Sequence, residues 1–243
     1  MSLPERKRID TKILVSLGIA CILIFFAVYY AEHREVKSAY TLAGRTLEAS
    51  GDVSSYQFDI QSNISMMEES FSLIRGNGSV DYSNENMAVR LRSMADSIDF
   101  IVVNGTAYLK NGDTSWETKK LNQKMWSSYD QLTTTNLLLA NSTNLSMEKT
   151  DAYFILTAFP DNNALIAEAE KAGLQLKGDE RLNEYYIRYL IEKKGYRIIS
   201  IESHIEFMMN IQGLMSPVTI NNRVDVYNYN AKIEIEAPPM KAD

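Results

Sequence analysis

Cysteine is nearly missing: the 243-residue chain has one, Cys21, and none follows it. Everything beyond that residue is free of disulfides and of thiolate chemistry, so any folded domain there must rest on its own apolar core. Nucleophile–base motifs are missing too. There is no G-x-S-x-G, no P-loop and no G-x-G-x-x-G opening a helix. The short Gly76-Asn77-Gly78 run sits inside a strand pattern, where a bend is the better reading than a phosphate cradle. Histidine is limited to His33 and His204. A basic excess is also lacking. Beyond residue 37 the chain has 19 basic and 27 acidic residues, a net charge of −8. That balance argues against nucleic acid and against docking on an anionic membrane face. These absences together point to a non-enzymatic protein with no cofactor.

Charge is absent from one long stretch, and that stretch is the first positive feature. Ile13 to Ala31 reads ILVSLGIACILIFFAVYYA, nineteen residues without a charged side chain. At about 1.5 Å per residue, such a helix spans roughly 28 Å, close to the hydrocarbon thickness of a bilayer. Tyr29 and Tyr30 stand at its outer end, where amphipathic rings favour the headgroups. Arg6, Lys7, Arg8 and Lys12 give the preceding tail a basic excess, so the expected orientation is N-terminus in and C-terminus out. A cleaved signal peptide would have a shorter apolar core and a small-x-small site, which Ala27-Val28-Tyr29 does not supply. A lipidated Cys21 would begin a mature chain with ILIFFAVYY, an apolar run where a soluble tether is needed. Cys21 therefore reads as a small apolar residue facing lipid. The expected organisation is a cytoplasmic tail over 1–12, a transmembrane helix over 13–31 and a juxtamembrane helix over 32–50. An extracytoplasmic domain over 51–239 and a short tail over 240–243 complete it.

Beyond the anchor the hydrophobic period changes. Val36, Tyr40, Ala43 and Leu47 share one helical face, and Gly51 ends that helix. From Tyr56 the period becomes two. Tyr56, Phe58, Ile60, Ile64 and Met66 alternate with polar residues, as in a strand with one buried face. Further strands are expected over 71–82, with a bulge or bend near Gly76 and Gly78, and then over 87–91, 98–103 and 106–110. Asn104-Gly105 is a two-residue hairpin signal between the last two. Trp116 begins a short strand. Met125, Tyr129 and Leu132 mark a helix, with a polar loop expected over 136–144. A strand over 152–159 and a helix after Pro160, stopped by Gly173, follow. The last third alternates through Tyr185, Ile187 and Tyr189, then Ile201, Ile205, Phe207 and Met209, and ends in strands over 218–220 and 224–235. The expected fold class is α+β: a curved antiparallel half-barrel whose concave face is covered by two or three helices.

SYQFDI at 55–60, GNGSVDY at 76–82, VVNGTAYLKNGDTSWETKKL at 102–121 and KIEIEAPP at 232–239, in this order, resemble the LolA/LppX-type lipoprotein-carrier family and its membrane-anchored relatives. The resemblance spans about residues 38–239. It implies a half-open barrel with helices plugging its concave side and a lipid or acyl chain held between. The lining would then be Tyr56, Phe58, Ile60, Met87, Val89, Leu91, Tyr185, Ile187, Tyr189, Ile205, Phe207 and Met209. The plain alternative is that these side chains fill an ordinary core. The expected function is an anchored binder of a lipid or other apolar ligand; a permanent anchor rules out shuttling. The alternative is a surface interaction or structural ectodomain with a filled core and an envelope protein as partner.

Two other features bear on sites. Glu202, His204 and Glu206 fall on one strand face. Residues two apart on a strand are about 6.5–7 Å apart at Cα, awkward for holding one ion without a neighbouring strand, so the set reads as a solvated charged face and no metal is expected. Asn-x-Ser/Thr occurs at Asn63, Asn77, Asn104, Asn141 and Asn144, candidate glycosylation acceptors if the domain is exported.

Overall fold

The computed structural model describes residues 20, 22–25, 36–66, 69–160, 181–211 and 213–239. Of the expected membrane span only residues 20 and 22–25 are among these, and they are helical. Among the described residues no helix is long and apolar enough to cross a membrane. The remainder of 13–31, the tails at 1–12 and 240–243 and the expected helix after Pro160 lie outside the described residues. The chain divides into two units, Met1–Lys37 and Ser38–Asp243.

The second unit opens with helix α1, Ala39–Gly51. It begins there, and not at residue 32, because Ser38 is its N-cap: the Ser38 hydroxyl accepts from the Thr41 backbone N–H at 3.1 Å. Val36 and Lys37 are not helical. The buried face is Leu42, Ala43 and Thr46, while Tyr40 points outward and donates its hydroxyl to the Thr143 carbonyl at 2.8 Å. The face expected from spacing is thus rotated by about one residue.

Among the described residues eleven strands follow: β1 Ser55–Met66, β2 Glu69–Asp81, β3 Asn86–Ser93, β4 Ser97–Val103, β5 Thr106–Asn111, β6 Glu117–Lys120, β7 Asn144–Lys149, β8 Tyr153–Phe159, β9 Arg181–Glu192, β10 Ile198–Ile211 and β11 Leu214–Tyr227. They form one antiparallel sheet in the order β6-β5-β4-β3-β2-β1-β11-β10-β9-β8-β7. The chain meanders outward from β1 to one edge and from β7 back inward to β11. The first and last long strands, β1 and β11, pair in the middle from Gln57↔Tyr227 to Met66↔Val218. The sheet stays open, because its edges β6 and β7 do not pair.

Those two edges are consecutive in sequence. The connection between them must cross the sheet, and it does so as helices α2, Gln123–Tyr129, and α3, Gln131–Ala140. Topology alone therefore places helices over one face. The polar loop expected over 136–144 is corrected: Asn136 to Ala140 is the second half of α3, and Leu132, Thr135 and Leu139 are its buried side. Three consecutive leucines, 137–139, show no helical period, which hid it. Strand β7 was not expected either. It is an edge strand with only Leu145 and Met147 as apolar residues.

The Asn104-Gly105 hairpin is as expected, with φ of 51° and 73° at its two residues. The irregularity of β2 is displaced from its expected place. Register slips between Ser62↔Ile74 and Asn63↔Ser72, so the extra residue is Leu73, upstream of the two glycines. Gly76 and Gly78 serve close approach instead. A Cβ on Gly76 would strike the Arg90 carbonyl and sit 2.8 Å from Leu91 Cδ2. One on Gly78 would strike the Phe58 ring and sit 3.1 Å from Val89 Cγ2. Phe58 is fully buried and cannot swing aside. Gly78→Ala is therefore expected to cost about 1–3 kcal/mol in chemical denaturation, and Gly76→Ala the upper end of that range, because its obstacle is backbone. The final strand is also corrected. β11 is continuous from 214 to 227 and then stops; residues 231–239 form no strand. Asn228 and Asn230 take φ of 53° and 57°, which turns the chain out of the ladder.

Candidate apolar-ligand site

Strand periodicity brings the expected lining residues to one face, and the helices divide them into two groups. Tyr56, Phe58, Met87, Val89, Ile187 and Tyr189 are buried. They belong to the end where α3 is fastened, and they pack as ordinary core. Ile60, Leu91, Tyr185, Ile205, Phe207 and Met209 are only half-buried.

Register shows how the second group is arranged. Ile64, Ile220, Ile205 and Tyr185 are successive partners across β1, β11, β10 and β9. All four are half-buried. The next row toward the open end is Met66, Val218, Phe207 and Leu182. Only Val218 of that row is fully buried. The two rows make an apolar trough four strands wide. On its other side lies a polar row, Ser62, Asn222 and Ser203, in which Asn222 Nδ2 donates to Ser203 Oγ at 3.0 Å. This polar row separates the trough from the helix-covered core. The alignment of Ser62 and Ser203 with Asn222 follows only from the register.

The covered end is held by Asp130, which sequence reading missed. The residue is 1% exposed and stands between α2 and α3. It caps α3 by accepting from the Thr133 backbone N–H at 3.1 Å. It also accepts from Tyr56 Oη at 2.8 Å, Tyr82 Oη at 2.9 Å and Trp126 Nε1 at 3.1 Å. The Tyr56 hydroxyl in turn accepts from the Leu132 backbone N–H at 3.2 Å. Tyr189 Oη donates to the Thr135 carbonyl at 3.1 Å, pinning α3 from the other half of the sheet. The readable signal was an Asp placed just before a helix, a capping residue type.

Burial, and then the Asp130 charge, push the Tyr56 and Tyr82 phenols well above their ordinary value of 10.0. Burial does the same for Tyr189 and Tyr229. A phenol whose folded pKa is raised keeps its proton in the folded state after the unfolded chain has lost it. Its contribution is fully present below pH about 10 and is lost as pH rises from there through the folded pKa. Melting temperature should thus be insensitive to these groups below pH 10 and fall steeply above it. Tyrosinate absorbance from these four should appear together with unfolding, not ahead of it.

Two open grooves flank the helices. One, of about 600 Å³, runs between α1 and α3 beside Leu47, Val53, Leu137 and Ala140. The other, of about 440 Å³, lies beside Tyr82, Leu121 and Trp126. Both volumes suit small ligands, but Asn136, Ser50 and Thr133 interrupt the first and Glu85, Asn122 and Gln123 the second.

The outer face of the sheet is polar. Glu202 accepts from Arg223 at 3.2 Å and lies 3.9 Å from Arg188. Burial works to raise the Asp225 carboxyl, but the Arg223 guanidinium, bonded at 2.9 Å, prevails and holds it below the ordinary range. Glu202 is thus occupied by arginines and does not join His204 and Glu206 as the spacing allowed. Of the sequon asparagines, Asn77, Asn104, Asn141 and Asn144 are exposed and Asn63 is half-buried. Asn104 stands at a hairpin tip, and Asn141 donates its amide to the Leu137 carbonyl at 2.8 Å.

No protein-family model and no curated protein matches the chain. Among solved structures it is similar to LprF from Mycobacterium bovis, at 14% identity and a TM-score of 0.51, with 82% of this chain and 96% of that one covered. A LolA superfamily protein from Nitrosomonas europaea aligns over 82% of this chain and 96% of its own at 11% identity, with a TM-score of 0.30, too loose an overlay to bear on an argument. The likeness to LprF is one of fold. That fold is of the LolA/LppX type which the sequence resembles.

Proposed function

We propose that the chain is a membrane-anchored, extracytoplasmic and non-catalytic binding protein. It holds an apolar ligand, the acyl part of a lipid, against the trough on the concave face of its sheet. The observation that carries this reading is the pair of apolar rows, Ile64–Ile220–Ile205–Tyr185 and Met66–Val218–Phe207–Leu182, in which every side chain but Val218 is left half-buried beside a well-covered core. Apolar side chains exposed in contiguous rows gain free energy when an alkyl chain covers them, about 0.8 kcal/mol per buried methylene. Ile, Met, Phe and Tyr also suit a flexible chain, because Met and the aromatics present adaptable, polarizable surfaces. The polar row at the inner limit of the trough gives such a ligand's carbonyl or hydroxyl a hydrogen-bonding counterpart. The lipoprotein-carrier fold supports the same reading.

Anchoring rests on the charge-free run 13–31, and sidedness on Arg6, Lys7, Arg8 and Lys12. A tethered binder of this kind presents or extracts lipid at its own membrane and does not ferry it across a gap. The direct test is uptake of a fluorescent fatty acid. Saturable one-to-one uptake, displaced by unlabelled lipid, is the expected result. Absence of uptake would favour the reading in which a filled core supports a protein-binding surface.

A further inference from the structure

We infer that the outer face of the sheet carries a divalent transition-metal site, of the zinc type, built from His204, Glu184 and Glu206. His204 and Glu206 stand on β10, and β9 supplies Glu184, the register partner of Glu206. One ligand atom from each of the three lies within 4.8 Å of the other two. Two donors at about 2.1 Å from a tetrahedral ion lie about 3.4 Å apart, so small side-chain rotations close this set around one ion.

The imidazole is prepared for the task. Its Nδ1 lies 2.8 Å from Asn221 Oδ1 on β11. An amide oxygen only accepts, so Nδ1 carries the proton. In the neutral ring this leaves the lone pair on Nε2, the nitrogen that lies 3.7 Å from Glu184 Oε2. A hydrogen bond from the remote ring nitrogen is the arrangement that orients a metal-bound histidine and raises its basicity. The Tyr186 ring stacks on His204 at 5.0 Å and 14°, which fixes the ring plane. Asn183 Nδ2 donates to Glu206 Oε1 at 3.0 Å, which orients that carboxylate. His204 and Glu206 thus each have an orienting partner outside the set.

Charge supplies an independent argument. Glu184 and Glu206 are directly opposite on neighbouring strands, and like charges so placed destabilise a pair unless a cation lies between them. One imidazole nitrogen with two carboxylate oxygens is a donor set suited to zinc, with the remaining positions left to water. The site ties β9 to β10 behind Tyr185 and Ile205, which face the trough from the same strands.

The test is titration of the full chain, stripped with chelator, with zinc alone, followed by calorimetry and by histidine NMR. The chain has two histidines, so the spectrum is simple. One equivalent should bind, moving the His204 resonance and leaving that of His33 in place. His204→Ala should abolish binding. Glu184→Gln and Glu206→Gln should each weaken it at least tenfold, and Asn221→Ala by about tenfold. Glu202→Gln and His33→Ala should leave it unchanged. Metal-free melting temperatures of the variants, matching the parent's, establish that the sheet is intact. No binding at millimolar zinc, binding that survives His204→Ala, or equal competition by calcium would overturn the assignment.

Discussion

Asp130→Ala is expected to lower the stability of the Ser38–Asp243 unit by about 3–5 kcal/mol, the range for removing one member of a buried charged network. The substitution deletes the acceptor for Tyr56, Tyr82, Trp126 and the N-terminus of α3 together. Three of these donors come from side chains on β1, on α2 and just past the end of β2. The loss therefore unfastens the helices from the sheet as well as removing a cap. A cap alone is worth about 1 kcal/mol, so the excess measures the bridging role. Tyr82→Phe removes one donor and leaves the others, and should cost about 1 kcal/mol. Chemical denaturation of the two variants beside the parent checks both values. A loss near 1 kcal/mol for Asp130→Ala would mean that the helices are held by apolar packing alone.

Ile205→Asp should reduce fatty-acid uptake at least tenfold. Ile205 lies at the centre of the first trough row, with Ile220 and Tyr185 as its partners on either side. A carboxylate there must be desolvated when an alkyl chain covers it, which costs several kcal/mol, and each 1.4 kcal/mol is a factor of ten in affinity. Ile205→Val keeps the surface apolar and should leave uptake within about threefold of the parent. The site is half-buried and outside the covered core, so the melting temperature should drop far less than for Asp130→Ala. Equal uptake by the Asp and Val variants would move the ligand elsewhere, to one of the grooves beside the helices.

Strand positions were readable because period two is a direct consequence of one wet and one dry face, and most strands from β1 to β11 have such faces, though β6 is exposed along its whole length. The exceptions have physical reasons. β7 is an edge strand with two apolar residues, and α3 has its leucines in a block and not at helical spacing. The trough was legible only as a set of apolar positions. Tyr56 and Ile205 look alike in sequence, yet one is sealed under α3 and hydrogen-bonded to Asp130, and the other is half-open. That difference arises from where the β6–β7 connection crosses the sheet, which no local pattern encodes. The Glu–His cluster was half legible: His204 and Glu206 were found by alternation. The third member is Glu184, from the neighbouring strand, because arginines already hold Glu202.

The charge-free run at 13–31 is the sequence feature on which the proposed anchor rests. The central claim, however, is that the trough holds a lipid, and native mass spectrometry of the gently purified unit from Ser38 onward tests it most directly. A bound species in one-to-one ratio, released as an extractable lipid and lost in Ile205→Asp, is the expected result. A bare polypeptide mass that stays bare after incubation with fatty acid would contradict it.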